Sequence, residues 1–462
     1  MRDVRRGRSA RATDLFAGCG GSSDGLRRAG WDIALAANHN PVAIDSHAAN
    51  FPDTEHLCAD ISNYDMRRLP WTQLLWASPE CTWHSPAGGR KRLRAQLDLL
   101  DDYVPTDAGV RSRATAFDVI RATEARAYDV VVVENVVEFA DWPLFDWWLD
   151  GMRRVGDGYY LQIVCVSAAH IGDNEPIEQG GNPRAPQWRD RLFLVFTRHG
   201  VPQADLAPRP PAYCGTCDQV VDAVQSWKRP DRRPVGKFSP QYVYRCPSAT
   251  CRHQVVDPFV LPAAAAIDWT DLGTRIGDRA RPLAASTMRR IQAGLDLYTG
   301  TAPFTVPSGG TWRDGPAPVG LPMPARTTRE TDGLVCPPFV TVLRNHTTPT
   351  AIGRPLAAVT AGGNHHALVV PYRKGRTTTT GEPLHTLATR ESAALVQPAV
   401  AVEDCRFRML KPREHLAAQR FQPGYVVKGN QSEQTLQAGN AVPCNVAQWL
   451  GTRIRTALAG AV

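Results

Sequence analysis

Through about residue 200 the chain alternates short apolar runs, at 34–37, 74–77, 130–133, 161–166 and 192–196, with helical stretches at 22–29, 42–50, 113–126 and 146–154. Strands that alternate with helices are joined by crossovers, so they lie mostly parallel with helices on both faces. A run such as Val130-Val131-Val132-Val133 has no polar face to offer water, which suits a strand covered on both sides. The expected fold class is therefore α/β, a doubly wound, Rossmann-like, mostly parallel sheet. Helical patterning returns at 412–420 and 443–458, and the second of these is apolar enough to pack back on the first domain.

From about residue 202 to 402 the texture changes: prolines, threonines and glycines dominate and helical periodicity fades. Pro282, Pro324, Pro355 and Pro383 head four similar short segments, but their spacing is too irregular for a solenoid. This reads as a β-rich, irregular second domain. The expected organisation is 1–201, 202–402, and a return at 403–462 that completes the first domain. A length of 462 residues fits two or three domains. Hydrophobic residues at 43% argue against disorder, and no apolar run approaches the ~20 residues of a membrane-spanning helix. Residues 1–13 carry five arginines and no apolar segment, unlike a secretory leader. Eleven cysteines spread through a long chain suggest a reduced, intracellular protein with thiols available for metal or catalysis. A net charge of +8 permits a nucleic-acid partner.

Four segments carry chemistry. Asp14-Leu15-Phe16-Ala17-Gly18-Cys19-Gly20-Gly21 runs from a strand through a glycine turn into a helix, and glycines there let backbone approach a ligand. No phosphate-cradling lysine follows, which suits a cofactor with adenosine but no phosphates. Cys81, in Ser78-Pro79-Glu80-Cys81, ends a buried strand ahead of a basic loop that includes Arg90, Lys91, Arg92 and Arg94. Positive charge favours a thiolate, so Cys81 is either a nucleophile or a small buried residue. Glu134 directly follows an apolar strand, where a carboxylate needs a partner or a substrate. Arg189 and Arg191 stand one residue apart on one strand face, as ligands for charge or as solvated edge residues.

Taken together in this order, the segments resemble the DNA (cytosine-5) methyltransferase family, which uses S-adenosylmethionine. The resemblance covers about residues 11–198 and 405–455. It rests on Phe16-Ala-Gly-Cys-Gly-Gly, the cysteine after Ser78-Pro79, Glu134-Asn135-Val136, Gln187-x-Arg189-x-Arg191, and Arg413-Glu414 with Gln419-Arg420-Phe421. The last matching piece is Gln437-Ala-Gly-Asn440-Ala-Val442. The resemblance implies that Cys81 attacks ring carbon 6 of a flipped cytosine, that Glu134 serves ring nitrogen 3, and that Arg189 and Arg191 orient the base. It implies a cofactor site made of Phe16, Ala17, Gly18, Gly20, Gly21, His39, Asp60, Ile61, Asn440 and Val442. The region 202–402 would then read the target sequence in double-stranded DNA. Two positions depart from the family pattern: His39 stands where a glutamate usually binds the ribose, and Glu80 stands where the family has proline. An anion at position 80 opposes a thiolate at Cys81 unless it turns away or meets an arginine.

Cys214-Gly-Thr-Cys217 and Cys246-Pro-Ser-Ala-Thr-Cys251 form two knuckles with the spacing of a structural zinc ribbon, at about 210–256, with His253 as a substitute ligand for Cys251. Trp227, Lys228, Arg229, Arg232, Arg233 and Lys237 lie between them, suited to phosphates and bases or to a solvated loop. With the ribbon outside the sheet, loss of zinc should damage DNA recognition more than cofactor binding. The leading expectation is a monomeric, cytoplasmic, nucleoid-associated enzyme of DNA methylation, as in restriction–modification. The alternatives are a related pyrimidine-modifying enzyme with an RNA substrate or another transferred group, and a catalytically silent zinc-ribbon DNA-binding protein.

Overall fold

In the computed structural model the described residues are 10–79, 107–297, 303–307, 315–324, 332–336, 339–340, 350–351 and 401–460. Cys81, Glu80, the basic loop and most of the proline-headed repeats lie outside them.

The first compact unit comprises residues 1–267, 320–330 and 411–462. Its strands are β1 (Arg11–Leu15), β2 (Asp32–Asn38), β3 (Glu55–Cys58), β4 (Leu74–Ala77), β5 (Val130–Asn135), β6 (Tyr159–Ser167) and β7 (Asp190–Arg198). They form one sheet in the order β3-β2-β1-β4-β5-β7-β6. The first five run parallel, and β7 is antiparallel to both β5 and β6. The order of strand addition reverses between β1 and β4, and a doubly wound sheet receives its ligand at the carboxyl ends of the strands beside such a switch.

Alternation along β4 and β5 divides two cores. Leu75, Ala77, Val131 and Val133 face α3 (Asp107–Arg126) and α4 (Phe145–Arg154), packing with Val119, Phe145, Trp148 and Met152. Leu74, Trp76, Val130 and Val132 share the other core with Leu26 of α1 (Gly21–Arg28) and Val446, Leu450 and Ile454 of a C-terminal helix. Both faces are covered, which is why these strands read as unbroken apolar runs. Helix α2 (Pro41–Asn50) starts where Asn40 caps the Val42 and Ala43 amides and Pro41 supplies a preset first turn.

The ribbon belongs to this same unit, a difference from the expected division at residue 202. It contains β8 (Pro211–Cys214), β9 (Gln219–Asp222), β10 (Val224–Trp227), β11 (Tyr242–Arg245) and β12 (Val255–Val256), arranged as a β8–β9 hairpin and a β10-β11-β12 sheet. Local reading of composition could not detect the ribbon's side-chain bonds to the sheet, described below.

The second unit comprises residues 268–319 and 331–410. It holds β13 (Thr274–Arg275), α5 (Ala285–Leu297), β14 (Phe304–Pro307), β15 (Ala317–Pro318), β16 (Asp332–Cys336), the short pair β17 (Phe339–Val340) and β18 (Thr350–Ala351), and β19 (Arg406–Met409). Its five-stranded sheet runs β13-β19-β16-β14-β15 over a core of Ile276, Ile291, Phe304, Val335 and Phe407. β19 was expected in the C-terminal return; it pairs instead with β16, and the return begins after it.

The return comprises α6 (Pro412–Ala418), α7 (Gln431–Asn440) and α8 (Cys444–Ala459), and α8 lies along α1. Trp31 Nε1 donates to the Gly451 carbonyl at 2.9 Å, and Asn445 Nδ2 donates to the carbonyls of Ala168 and Ile171. No helix among the described residues is long and apolar enough to cross a membrane.

Candidate active site

β1 ends at Leu15 because Phe16 takes φ 62°, and Gly18 at 56° and Gly20 at 98° follow before α1 begins. Three left-handed residues in five turn the chain back sharply, a conformation that disfavours side chains. The Ala17 amide donates to Ala37 O at 3.0 Å, which ties this turn to the end of β2. A Cβ on Gly18 would meet nothing within 4 Å, so this turn has open space for a ligand to approach the backbone. The other glycines do different work. A Cβ on Gly20 would lie 2.5 Å from Tyr425 Oη, and one on Gly21 2.3 Å from Val442 O. Gly20 and Gly21, expected in the cofactor site, make room for the C-terminal return.

A buried network lies beneath the turn. Ser22 and Ser23 hydroxyls each donate to Asp14 Oδ2 at 2.6 Å. His47 Nε2 lies 2.9 Å from Ser23 Oγ, and its Nδ1 lies 2.9 Å from His56 Nε2. Burial holds the Asp14 carboxyl up at about 6, against the lowering pull of the two serines. Burial also pushes His47 down to about 3, helped by the facing charges of His56 and Arg27. Sequence reading missed this network, although a carboxylate inside an apolar strand, Asp14, was a visible signal.

The remaining expected cofactor residues follow the strand ends. His39 is exposed just after β2. Asp60 follows β3; its Oδ1 accepts the Ser62 amide and its Oδ2 accepts Asn63 Nδ2, each at 3.0 Å, while Ile61 is buried. Asn440 is exposed at the end of α7, and Val442 is buried against Gly21. The open glycine turn and the polar groups at the ends of β2 and β3 suit a nucleoside-bearing cofactor.

At the carboxyl end of β5, Glu134 is 7% exposed and Arg191 Nε lies 3.0 Å from its Oε1. Burial raises the Glu134 carboxyl, and Arg191 and then Arg189 pull it back. Arg191 comes from β7, which pairs with β5 so that Leu192 faces Asn135. Arg189, just ahead of β7, is fully buried, and its Nη2 donates to Gly439 O at 2.9 Å and Ala441 O at 2.7 Å. The two arginines therefore divide the work: Arg191 meets the acid, and Arg189 also holds the backbone of the return. The chain leading to Cys81 is fixed from both sides. The Ser78 amide donates to Leu15 O at 3.1 Å, and Asn135 Nδ2 donates to Pro79 O at 3.2 Å. Cys81 itself lies outside the described residues.

A family model described as C-5 cytosine-specific DNA methylase matches residues 10–212. Type II methyltransferase M.HgiGI of Herpetosiphon aurantiacus is 33% identical over 95 residues, 20% of this chain and 75% of that protein. The chain belongs to the C-5 cytosine-specific DNA methylase family. Two longer relatives match about 200 residues of the chain. Type II methyltransferase M.HgiDI of Herpetosiphon aurantiacus is 28% identical over 199 residues, 42% of this chain and 54% of its own length. Type II methyltransferase M.XorII of Xanthomonas oryzae pv. oryzae is 26% identical over 197 residues, 41% of each. The chain thus spans about half the length of these relatives. As a C-5 cytosine methylase, the chain would be expected to use S-adenosylmethionine.

Outside the methylase pattern, Cys214, Cys217, Cys246 and Cys251 bring their four sulfurs within 4.8 Å of one another. His253 instead directs Nδ1 toward Cys246 O at 3.2 Å.

Proposed function

We propose that this protein transfers a methyl group from S-adenosylmethionine to carbon 5 of a cytosine flipped out of double-stranded DNA. The observation that carries this reading is the buried Glu134–Arg191 pair at the carboxyl end of β5, beside the strand end that leads to Cys81, in a chain of the methylase family. S-adenosylmethionine, when bound, supplies an electrophilic methyl group on a sulfonium. Phe16, Ala17 and Gly18 of the glycine turn, with His39, Asp60, Ile61, Asn440 and Val442, would hold it.

Cytosine carbon 5 is a weak nucleophile, so the protein must first load the ring with electrons. The Cys81 thiolate forms a bond to carbon 6, and the displaced electron pair moves toward carbon 5. Glu134 holds a proton at ring nitrogen 3, which draws density as the sulfur attacks. Arg191 steadies that carboxyl and orients the base, and Arg189 supports it while fixing the 439–441 backbone. At carbon 5 so activated, the bound donor would give up its methyl group and leave as a neutral thioether; a base would then remove the carbon 5 proton, and the Cys81 sulfur would leave carbon 6 as a thiolate. Extruding the base costs a few kcal/mol, offset by contacts in the pocket.

We assign the four clustered cysteines to a structural zinc site, because a closed set of four soft ligands suits tetrahedral Zn2+. The Type II methyltransferase relatives support a role in restriction–modification.

The deciding experiment incubates the protein with labelled S-adenosylmethionine and duplex DNA containing 5-fluorocytosine. A denaturation-resistant adduct with the native chain and none with Cys81→Ser is expected. Nucleoside mass spectrometry after incubation with DNA and, separately, with RNA checks the product; 5-methylcytidine in RNA alone would overturn the DNA assignment.

A further inference from the structure

We infer that the four-cysteine ribbon is a metal-dependent brace for the sheet edge that carries Glu134 and Arg191, with Lys237 and the Phe238 amide as its positioning contacts. The inference rests on the methyltransferase and zinc readings above. The buried core of the ribbon is small: Ala212, Val221, Ala223, Tyr242, Tyr244 and Val256 around the cysteines. A module of this size gains too little from apolar burial to hold its shape, so a bound metal would fasten it.

What the metal would fix is β11. One end of this strand adjoins Cys246, and the other follows the loop 228–241, which comes back to the sheet. There Lys237 Nζ lies 2.6 Å from Glu138 Oε1, and the Phe238 amide donates to Asp190 Oδ1 at 3.1 Å. The Phe238 ring stacks over Trp188 at 6.0 Å and meets His170 edge-on at 4.4 Å. From β10, Gln225 Nε2 donates to Cys165 O on β6 at 2.8 Å.

These contacts bear on the reacting edge through Asp190. It is half-buried, it precedes Arg191 in the strand, and it feels the charges of Lys237, Arg191 and Glu138. With the Phe238 amide on Asp190 and Lys237 on Glu138, the ends of β7 and β5 are tied to the ribbon loop, and Arg191 stays on Glu134. Without them, Asp190 loses its amide donor and the start of β7, which carries Arg191 to Glu134, loses its anchor. A misplacement of about 1 Å at a reacting edge can cost ~100-fold in rate.

The test uses the full-length protein. Metal analysis and cobalt substitution read the site directly: one metal per chain, with sulfur-to-cobalt charge transfer and tetrahedral bands, is expected. The metal is then removed with a mercurial and a chelator, and hydrogen exchange is followed in peptides covering 136–141 and 187–192. Exchange at both should rise ~10-fold, reversed by added zinc. Turnover should fall ~10-fold or more while S-adenosylmethionine affinity holds. Lys237→Ala should lower kcat with zinc retained, and Lys237→Arg should restore it. Protein that binds no metal overturns the zinc reading and the brace together. Metal loss that changes exchange only within 210–256 and leaves turnover intact overturns the brace alone. If no form transfers methyl groups, the methyltransferase reading fails, and the exchange result still decides whether the ribbon braces the edge.

Discussion

Arg191 meets Glu134 across the β5–β7 ladder with both side chains almost wholly withdrawn from solvent, 14% and 10% exposed. A buried pair of this kind is costly to half-remove, because the survivor keeps its desolvation without its partner. Glu134→Gln should therefore destabilise the fold by about 3 kcal/mol and reduce turnover ~100-fold or more. Adding Arg191→Met to that variant should recover much of the stability and none of the turnover. Urea unfolding and labelled methyl transfer on the three proteins check both outcomes. Full turnover in Glu134→Gln would remove the acid from the mechanism.

Two glycines three residues apart in the same motif should fail in opposite ways. Gly21→Ala puts a methyl group against Val442 O at 2.3 Å, a backbone contact that cannot swing aside. It should cost about 1–3 kcal/mol of stability through displacement of the return. Gly18→Ala meets open space, so its cost is the left-handed backbone alone, about 1 kcal/mol. Its larger effect should be on the ligand, read as weaker S-adenosylmethionine binding by calorimetry. Equal melting shifts with unchanged affinity in both would show that position 18 does not face the cofactor.

The strands and helices of the sheet were legible because their signals are local. Fully apolar runs at 74–77 and 130–133 coincide with strands buried on both faces. Partners far apart in sequence were not legible. Nothing near Arg189 announces that its guanidinium will hold carbonyls at 439 and 441, and nothing in Gly21 tells a ligand-facing glycine from one that admits Val442. The ribbon's ties to the sheet were not legible for the same reason: its cysteine spacing is a local pattern, but its bonds from Lys237 and Phe238 to Glu138 and Asp190 are not.

Asp14 gives the protein a pH signature. Its folded value of about 6 stands above the ordinary 3.8, so the native state keeps a proton that the unfolded chain has released. Native stability is then lost as pH rises through this window, by about 3 kcal/mol in total from this group. Asp14→Asn can still accept from Ser22 and Ser23 and does not titrate. Its stability relative to the native chain should rise steadily from about pH 4 to about pH 6.5. Paired urea titrations at several pH values check the slope, and a constant difference would show that Asp14 is ionised throughout.

His170 works in the opposite direction. It is fully buried among Trp188, Phe238 and Tyr244, neither ring nitrogen has a hydrogen-bond partner, and burial with the nearby Arg184 charge pushes it down to about 3. The unfolded chain takes up this proton near the ordinary 6.5, so stability is complete above that value and declines as the solution is acidified. At about pH 5 the loss from this one group is about 2 kcal/mol. His170→Phe keeps a ring of similar size in an aromatic setting and removes two unsatisfied polar atoms. It should match or exceed the native chain near neutrality and melt higher than it at about pH 5. His47 titrates over the same range in both proteins and cancels from the comparison. A variant that loses stability equally at both pH values would mean that His170 is held by hydrogen bonds, through buried water, and is needed there for its nitrogens.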